Sequence, residues 1–75
     1  MFNLQVTYTD GSEYSVEGIS KITIYSRDGR SELSGDDILS ANIPLPFDLM
    51  NLYGPSVNVV ISGNHAKVVH ILKNE

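Results

Sequence analysis

Hydrophobic and polar residues alternate from the second position onward. Phe2, Leu4, Val6 and Tyr8 fall on one side, and Asn3, Gln5, Thr7 and Thr9 on the other. A period of two is the mark of a half-buried β-strand. Past Asp10-Gly11 the alternation resumes, with Tyr14 and Val16 set between Glu13, Ser15 and Glu17. Loop length decides the register. A two-residue Asp10-Gly11 loop places Tyr8 against Glu13 and Val6 against Ser15, which opposes polar groups to the core side. A three-residue Thr9-Asp10-Gly11 loop pairs Val6 with Tyr14 and Leu4 with Val16 instead. It also gives Gly11 the left-handed position of a type I turn with a bulge. The pattern predicts the three-residue loop.

A second Asp-Gly, at Asp28-Gly29, follows a strand in which Ile22 and Ile24 face one way and Lys21, Thr23 and Tyr25 the other. Here a two-residue type I′ turn pairs Ile24 with Leu33 and Tyr25 with Glu32, whereas a three-residue loop sets Ile24 against Glu32. The tight turn is therefore predicted. The return strand, Arg30 to Ser34, is short and polar, as suits a sheet edge.

From Gly35 to Pro55 the alternation stops. Pro44 and Pro46, in Asn42-Ile43-Pro44-Leu45-Pro46, impose extended backbone and remove two donors. The pattern predicts a short helix over 46–53. Pro46 suits its first position, Asp48 its first turn, and Gly54-Pro55 its stop. On that spacing Asp48 and Asn51 form a polar stripe, while Phe47, Leu49, Met50, Leu52 and Tyr53 cover the rest. Asp36-Asp37 can open a further single turn through Ile38-Leu39.

The last third reads as a third hairpin, Ser56–Ile61 and Ala66–Leu72, around Gly63-Asn64. That turn pairs Ile61 with Ala66, Val59 with Val68 and Val57 with His70 on the core side. The opposite face then holds Val60, Val69 and Ile71 beside Asn58, Ser62 and Lys67, an apolar surface to be covered by the helix or by another chain.

Seventy-five residues allow a single domain, 1–75, whose core lies near the lower limit for independent stability. Cysteine is absent, so disulfides and thiolate metal sites are excluded. Met1 leads directly into the first alternating strand, without the basic and apolar segments of a secretory signal, and the longest apolar run is Val59-Val60-Ile61. The expected setting is cytoplasmic. The formal charge is −4, concentrated where Asp28, Glu32, Asp36, Asp37 and Asp48 face only Arg30. An acidic middle repels phosphate backbones. Charge clusters of this kind are most often solvated loops, although Asp28, Glu32, Asp36 and Asp37 form a candidate acidic contact surface.

Chemistry is scarce. His65 and His70 are separated by five residues, which puts them on opposite faces of one strand and denies them a shared metal. A lone histidine such as His70 in an apolar strand is more commonly a satisfied core or rim residue than a ligand. Asp28-Gly29-Arg30-Ser31-Glu32-Leu33 fails as a calcium loop, with Arg30 at a ligand position and Leu33 where the turn needs glycine. No nucleophile elbow, Walker loop or dinucleotide fingerprint occurs. No cofactor is expected.

The sequence thus predicts a mainly β domain: a small antiparallel barrel or sandwich of five to six strands, built from three hairpins, with one short helix near 46–53. The expected function is a non-enzymatic interaction module that binds a protein partner or itself, forming a homo-oligomer. Its candidate interface is Val60, Val69, Ile71, Phe47, Met50 and Tyr53. Size alone places it among accessory or inhibitor proteins of larger complexes, of the phage or mobile-element type. Two alternatives remain from other classes. One is an oligonucleotide- or oligosaccharide-binding small barrel stacking its ligand on Tyr8, Tyr25 or Tyr53. The scarcity of Lys and Arg, five in all, makes nucleic acid an unfavourable ligand. The other is a small enzyme using His70 with a nearby carboxylate.

Overall fold

The structure is a computed structural model that describes residues 1–40, 43 and 45–73. Among them the chain is mainly β, with two antiparallel sheets and one short helix. The elements are β1 (Phe2–Tyr8), β2 (Glu13–Ile19), β3 (Lys21–Ser26), β4 (Gly29–Ser34), α1 (Asp37–Ser40), β5 (Leu49–Gly54), β6 (Val57–Ser62) and β7 (Ala66–Lys73). One sheet has the order β2-β1-β7, the other β4-β3-β5-β6. Seven described strands replace the five to six expected.

The first hairpin takes the expected register, Val6 against Tyr14 and Leu4 against Val16. Tyr8 and Ser12 close the three-residue loop through the Tyr8 N–H to the Ser12 carbonyl (2.8 Å), and Gly11 stands at φ 89°. A side chain there would meet the left-handed penalty of about 1–2 kcal/mol. Asp10 accepts both the Ser12 N–H (2.9 Å) and the Ser12 hydroxyl (2.6 Å), which fixes the loop. A register shift between Phe2 and Leu4 then marks a bulge on β2.

The second hairpin is tight, as expected, but its register differs by two residues. Arg27 and Asp28 form the loop, Ser26 opposes Gly29, and Ile22 rather than Ile24 faces Leu33. A slip of two preserves the faces of the sheet, so Ile22 and Ile24 stay buried and Lys21 and Tyr25 stay outside.

The third hairpin is corrected. β6 pairs with β5 and β7 with β1, so the segments expected to form one hairpin belong to different sheets. The Gly63–His65 link carries the chain from one sheet to the other, as the single residue Ser20 does earlier. Ser20 donates its N–H to the Tyr53 carbonyl at 2.7 Å. The true third hairpin is β5–β6, closed by Gly54 opposite Val57 around Pro55-Ser56.

The helix expected over 46–53 is likewise corrected: Leu49–Gly54 is strand β5, paired on both sides. Met50 and Leu52 point into the core, while Leu49, Asn51 and Tyr53 take the outer face. The single turn expected after Asp36-Asp37 is present as α1, which buries Ile38. The expectation of extended backbone at Asn42 and Pro44 lies outside the described residues.

Both sheets contribute to one hydrophobic cluster. It includes Leu4 and Val6 from β1, Ile19 from β2, Ile22 from β3, Met50 and Leu52 from β5, and Ile61 from β6, with Phe47 and Ile38 from the connecting segments. Close approach of backbones limits two glycines. A Cβ on Gly54 would lie 1.9 Å from the Gly18 carbonyl oxygen, and one on Gly63 would lie 2.2 Å from both the ring and the carbonyl oxygen of Phe47.

Candidate interaction surface

Strand pairing arranges the outer face of the four-stranded sheet in three cross-strand rows. Tyr25 stands between Arg30 and Leu49, Thr23 between Glu32 and Asn51, and Lys21 between Ser34 and Tyr53. On β6, Ser62, Val60 and Asn58 extend the same rows. Alternation then sends the neighbours of these residues, such as Ile22, Ile24, Met50 and Leu52, to the core side.

This face divides by chemistry. Toward β4, Glu32 holds both cations: it pairs with Arg30, and Lys21 Nζ lies 3.8 Å from Glu32 Oε1. Lys21 also sits over the Tyr53 ring, 5.5 Å from its centroid, and Asn51 Nδ2 donates to the Tyr53 hydroxyl at 3.0 Å. Tyr53 is thereby anchored by a cation and an amide. Three apolar side chains are exposed on this face, Leu49 by 46 %, Val60 by 58 % and Tyr25 of β3 by 37 %, with Asn51, Asn58 and Ser62 set among them. Tyr25 and Leu49 are direct cross-strand neighbours, a pairing that stabilises the sheet while presenting a broad apolar surface.

Of the six residues expected to form an apolar contact surface, Val60 and Tyr53 lie on this face. The other four point inward. Phe47 and Met50 are 2 % and 0 % exposed, and Val69 and Ile71 pack partly buried against the core. Their inversion follows from a register shift between Thr7 and Tyr8, where Thr7 opposes Val68 but Tyr8 opposes Ala66, leaving Lys67 as the extra residue of a bulge. Beyond that bulge the phase of β7 reverses, so that Val69 and Ile71 turn in while Val68, His70 and Leu72 turn out. The expected helix buries Leu49, whereas strand β5 turns it outward. The signal that could have found it is the alternation of Met50 and Leu52 with Leu49, Asn51 and Tyr53.

The four acidic candidates do not form a single cluster. Asp28 lies in the loop before β4, Glu32 in mid-strand, and Asp36 and Asp37 beyond its far end. The six residues of β4 separate the ends by about 20 Å. Tyr8 is away from the sheet face, its hydroxyl donating to the Ser62 carbonyl at 2.8 Å.

His70 is exposed on β7 opposite Gln5 rather than on the core side. His65 is exposed in the β6–β7 link, where the Ala66 N–H to Gly63 carbonyl bond (3.0 Å) closes a turn with His65 at φ 67°. A positive φ at the third position is the type II geometry that glycine normally fills. With Tyr8, Thr9, Asp10, Ser12 and Asn64, His65 lines a surface cavity of about 470 Å³. Hydrogen bonds from Ser12, hydroxyl first and then N–H, hold the Asp10 carboxyl below its ordinary range. That carboxylate is a structural acceptor of the loop and not a poised acid.

Among the described residues, no group of three or more His, Asp and Glu is placed to hold a metal ion, and no helix is long and apolar enough to cross a membrane. No protein-family model, curated protein or solved structure matches the chain.

Proposed function

We propose that this domain is a non-enzymatic interaction module, built as an open β-sandwich, that binds a protein partner or a second copy of itself through the outer face of its four-stranded sheet. The observation that carries this reading is the exposed group of Tyr25, Leu49 and Val60 beside an anchored Tyr53. Interface centres are enriched in aromatic residues and depleted of free charge, and here Glu32 ties down both cations of the face.

The test uses Tyr25→Ala and Leu49→Lys, which change exposed side chains and leave the core intact. Captured partners are identified by cross-linking and their affinity for wild-type and variant protein is measured by calorimetry. Loss of binding by variants that stay folded at the assay temperature, with only the about 0.2–1 kcal/mol of the lost cross-strand pair missing from their stability, supports the proposal. Equal affinity for both variants and wild type rejects it. Placement of Tyr25 and Tyr53 on one face favours a second reading, stacking of an oligosaccharide, for which the pairing of Lys21 and Arg30 with Glu32 is no obstacle. Tyrosine fluorescence that stays constant through a sugar titration rejects that reading.

A further inference from the structure

We infer that β6 is an open sheet edge that pairs antiparallel with β6 of a second copy, joining two four-stranded sheets into one. This contact lies at the edge of the sheet whose outer face carries the reading above, and it goes beyond that reading. The hydrogen-bond direction along β6 follows from its pairing with β5. Gly63 donates its N–H to the Asp48 carbonyl at 3.2 Å, and Gly54 opposite Val57 closes the hairpin. Odd-numbered positions therefore bond to β5, and the backbone groups of Asn58, Val60 and Ser62 point to the open side. β6 pairs with no other described strand.

Proteins normally blunt such edges with charge, proline or bulges. β4 carries Arg30 and Glu32, β2 carries Glu13, Glu17 and its bulge, and β7 carries Lys67 in a bulge and Lys73. Val57–Ser62 alone has neither charge nor proline. In a chain of net charge −4, an uncharged edge is where two copies approach without opposing carboxylates.

The occupant follows from symmetry. Facing residues of paired strands share a face, so a two-fold axis must pass through a residue and not between two. An axis at Val60 sets Val60 against its own copy and Asn58 against Ser62 of the other chain. The outward pattern of polar, apolar, polar reads the same in both directions, which an unrelated strand has no reason to match. The Ser62 carbonyl, which accepts from the Tyr8 hydroxyl, keeps a second lone pair for the partner N–H.

One short strand from each copy is a small interface, so association is weak, with monomer at about 10 μM and dimer at about 1 mM. The test combines light scattering with amide hydrogen exchange across that range. Pairing predicts a mass rising from 8.2 kDa toward twice that value. Exchange at Asn58 and Val60 slows only at the higher concentration, while Val59 and Ile61 stay protected throughout. Val60→Pro removes an N–H that β5 does not use, and Val60→Lys adds an edge charge; each abolishes the rise while the melting temperature of the dilute protein is retained. A mass that stays at 8.2 kDa up to about 1 mM overturns the pairing. So does a dimer whose Asn58 and Val60 amides exchange freely while Tyr25 and Leu49 signals shift, an outcome that leaves association through the sheet face standing. Partner binding lost in Tyr25→Ala while the mass of that variant still rises with concentration separates the two sites.

Discussion

Replacing Gly54 by alanine tests the corner where the two sheets meet. Gly54 has no positive φ, so alanine is conformationally acceptable there, and reducing unfolded-state freedom would by itself stabilise by about 0.4–1 kcal/mol. The new Cβ, however, would lie 1.9 Å from the Gly18 carbonyl oxygen and 2.9 Å from a Val57 methyl. A carbon–oxygen contact of about 3.3 Å is the ordinary close limit, so β2 and β5 must separate by roughly 1.4 Å. Both atoms of the clash are fixed to backbone, and Ile19 and Leu52 beside it are fully buried. Relief therefore disturbs a close-packed core. Overpacking costs typically about 1–3 kcal/mol and more where backbone must move; about 3 kcal/mol is expected here. For 75 residues a total stability of roughly 4–11 kcal/mol is ordinary, so the variant remains folded but loses about 12–24 °C in melting temperature. The assay is urea and thermal unfolding followed by circular dichroism, with Gly11→Ala as comparison. Nothing lies within 4 Å of a Cβ at Gly11, so that variant meets the left-handed penalty alone, about 1–2 kcal/mol. A Gly54→Ala protein as stable as wild type would refute the close approach of β2 to β5.

His65→Gly relieves a side chain held at φ 67° and is expected to raise stability by about 0.5–1 kcal/mol after the entropy cost of glycine; a lower urea midpoint contradicts the turn assignment. Ile22→Ala removes a fully buried side chain and should cost about 2–5 kcal/mol, against less than about 0.5 kcal/mol for Val60→Ala, both read from urea midpoints. Because the folded Asp10 pKa is lowered, its contribution is present above the ordinary carboxylate range and is lost as pH falls through the folded value. Ser12→Ala should move the Asp10 side-chain titration upward by NMR and weaken that acid-side loss, and an unmoved titration rules out Ser12 as its cause.

Legibility of this chain tracks how cleanly each strand separates apolar from polar residues. β1 alternates without exception, so its loop length, register and buried side followed from the sequence. In the second hairpin the buried sides followed as well, but Leu33 is the only apolar residue of Arg30–Ser34. Nothing then distinguished Ile22 from Ile24 as its partner, and a slip of two costs no inversion. β5 was hidden because Leu49 and Tyr53 make its outer face apolar too, while Pro46 and Gly54-Pro55 bracket it as they would a helix. Those exposed apolar residues are the ones now assigned to the interaction surface, so the misreading and the candidate site have one origin. The error in β7 has a different cause: the bulge at Lys67 inserts one residue, and a period-two argument has no means of sensing it. Pairing of β6 with β5 and of β7 with β1 is a choice between sheets that local alternation does not encode. It is this choice that leaves Asn58, Val60 and Ser62 at an open edge, since the expected β6–β7 hairpin would have placed β6 against β7. Topology opens this edge and the uncharged composition of Val57–Ser62 leaves it unguarded, and the amide exchange of Asn58 and Val60 reports on both together.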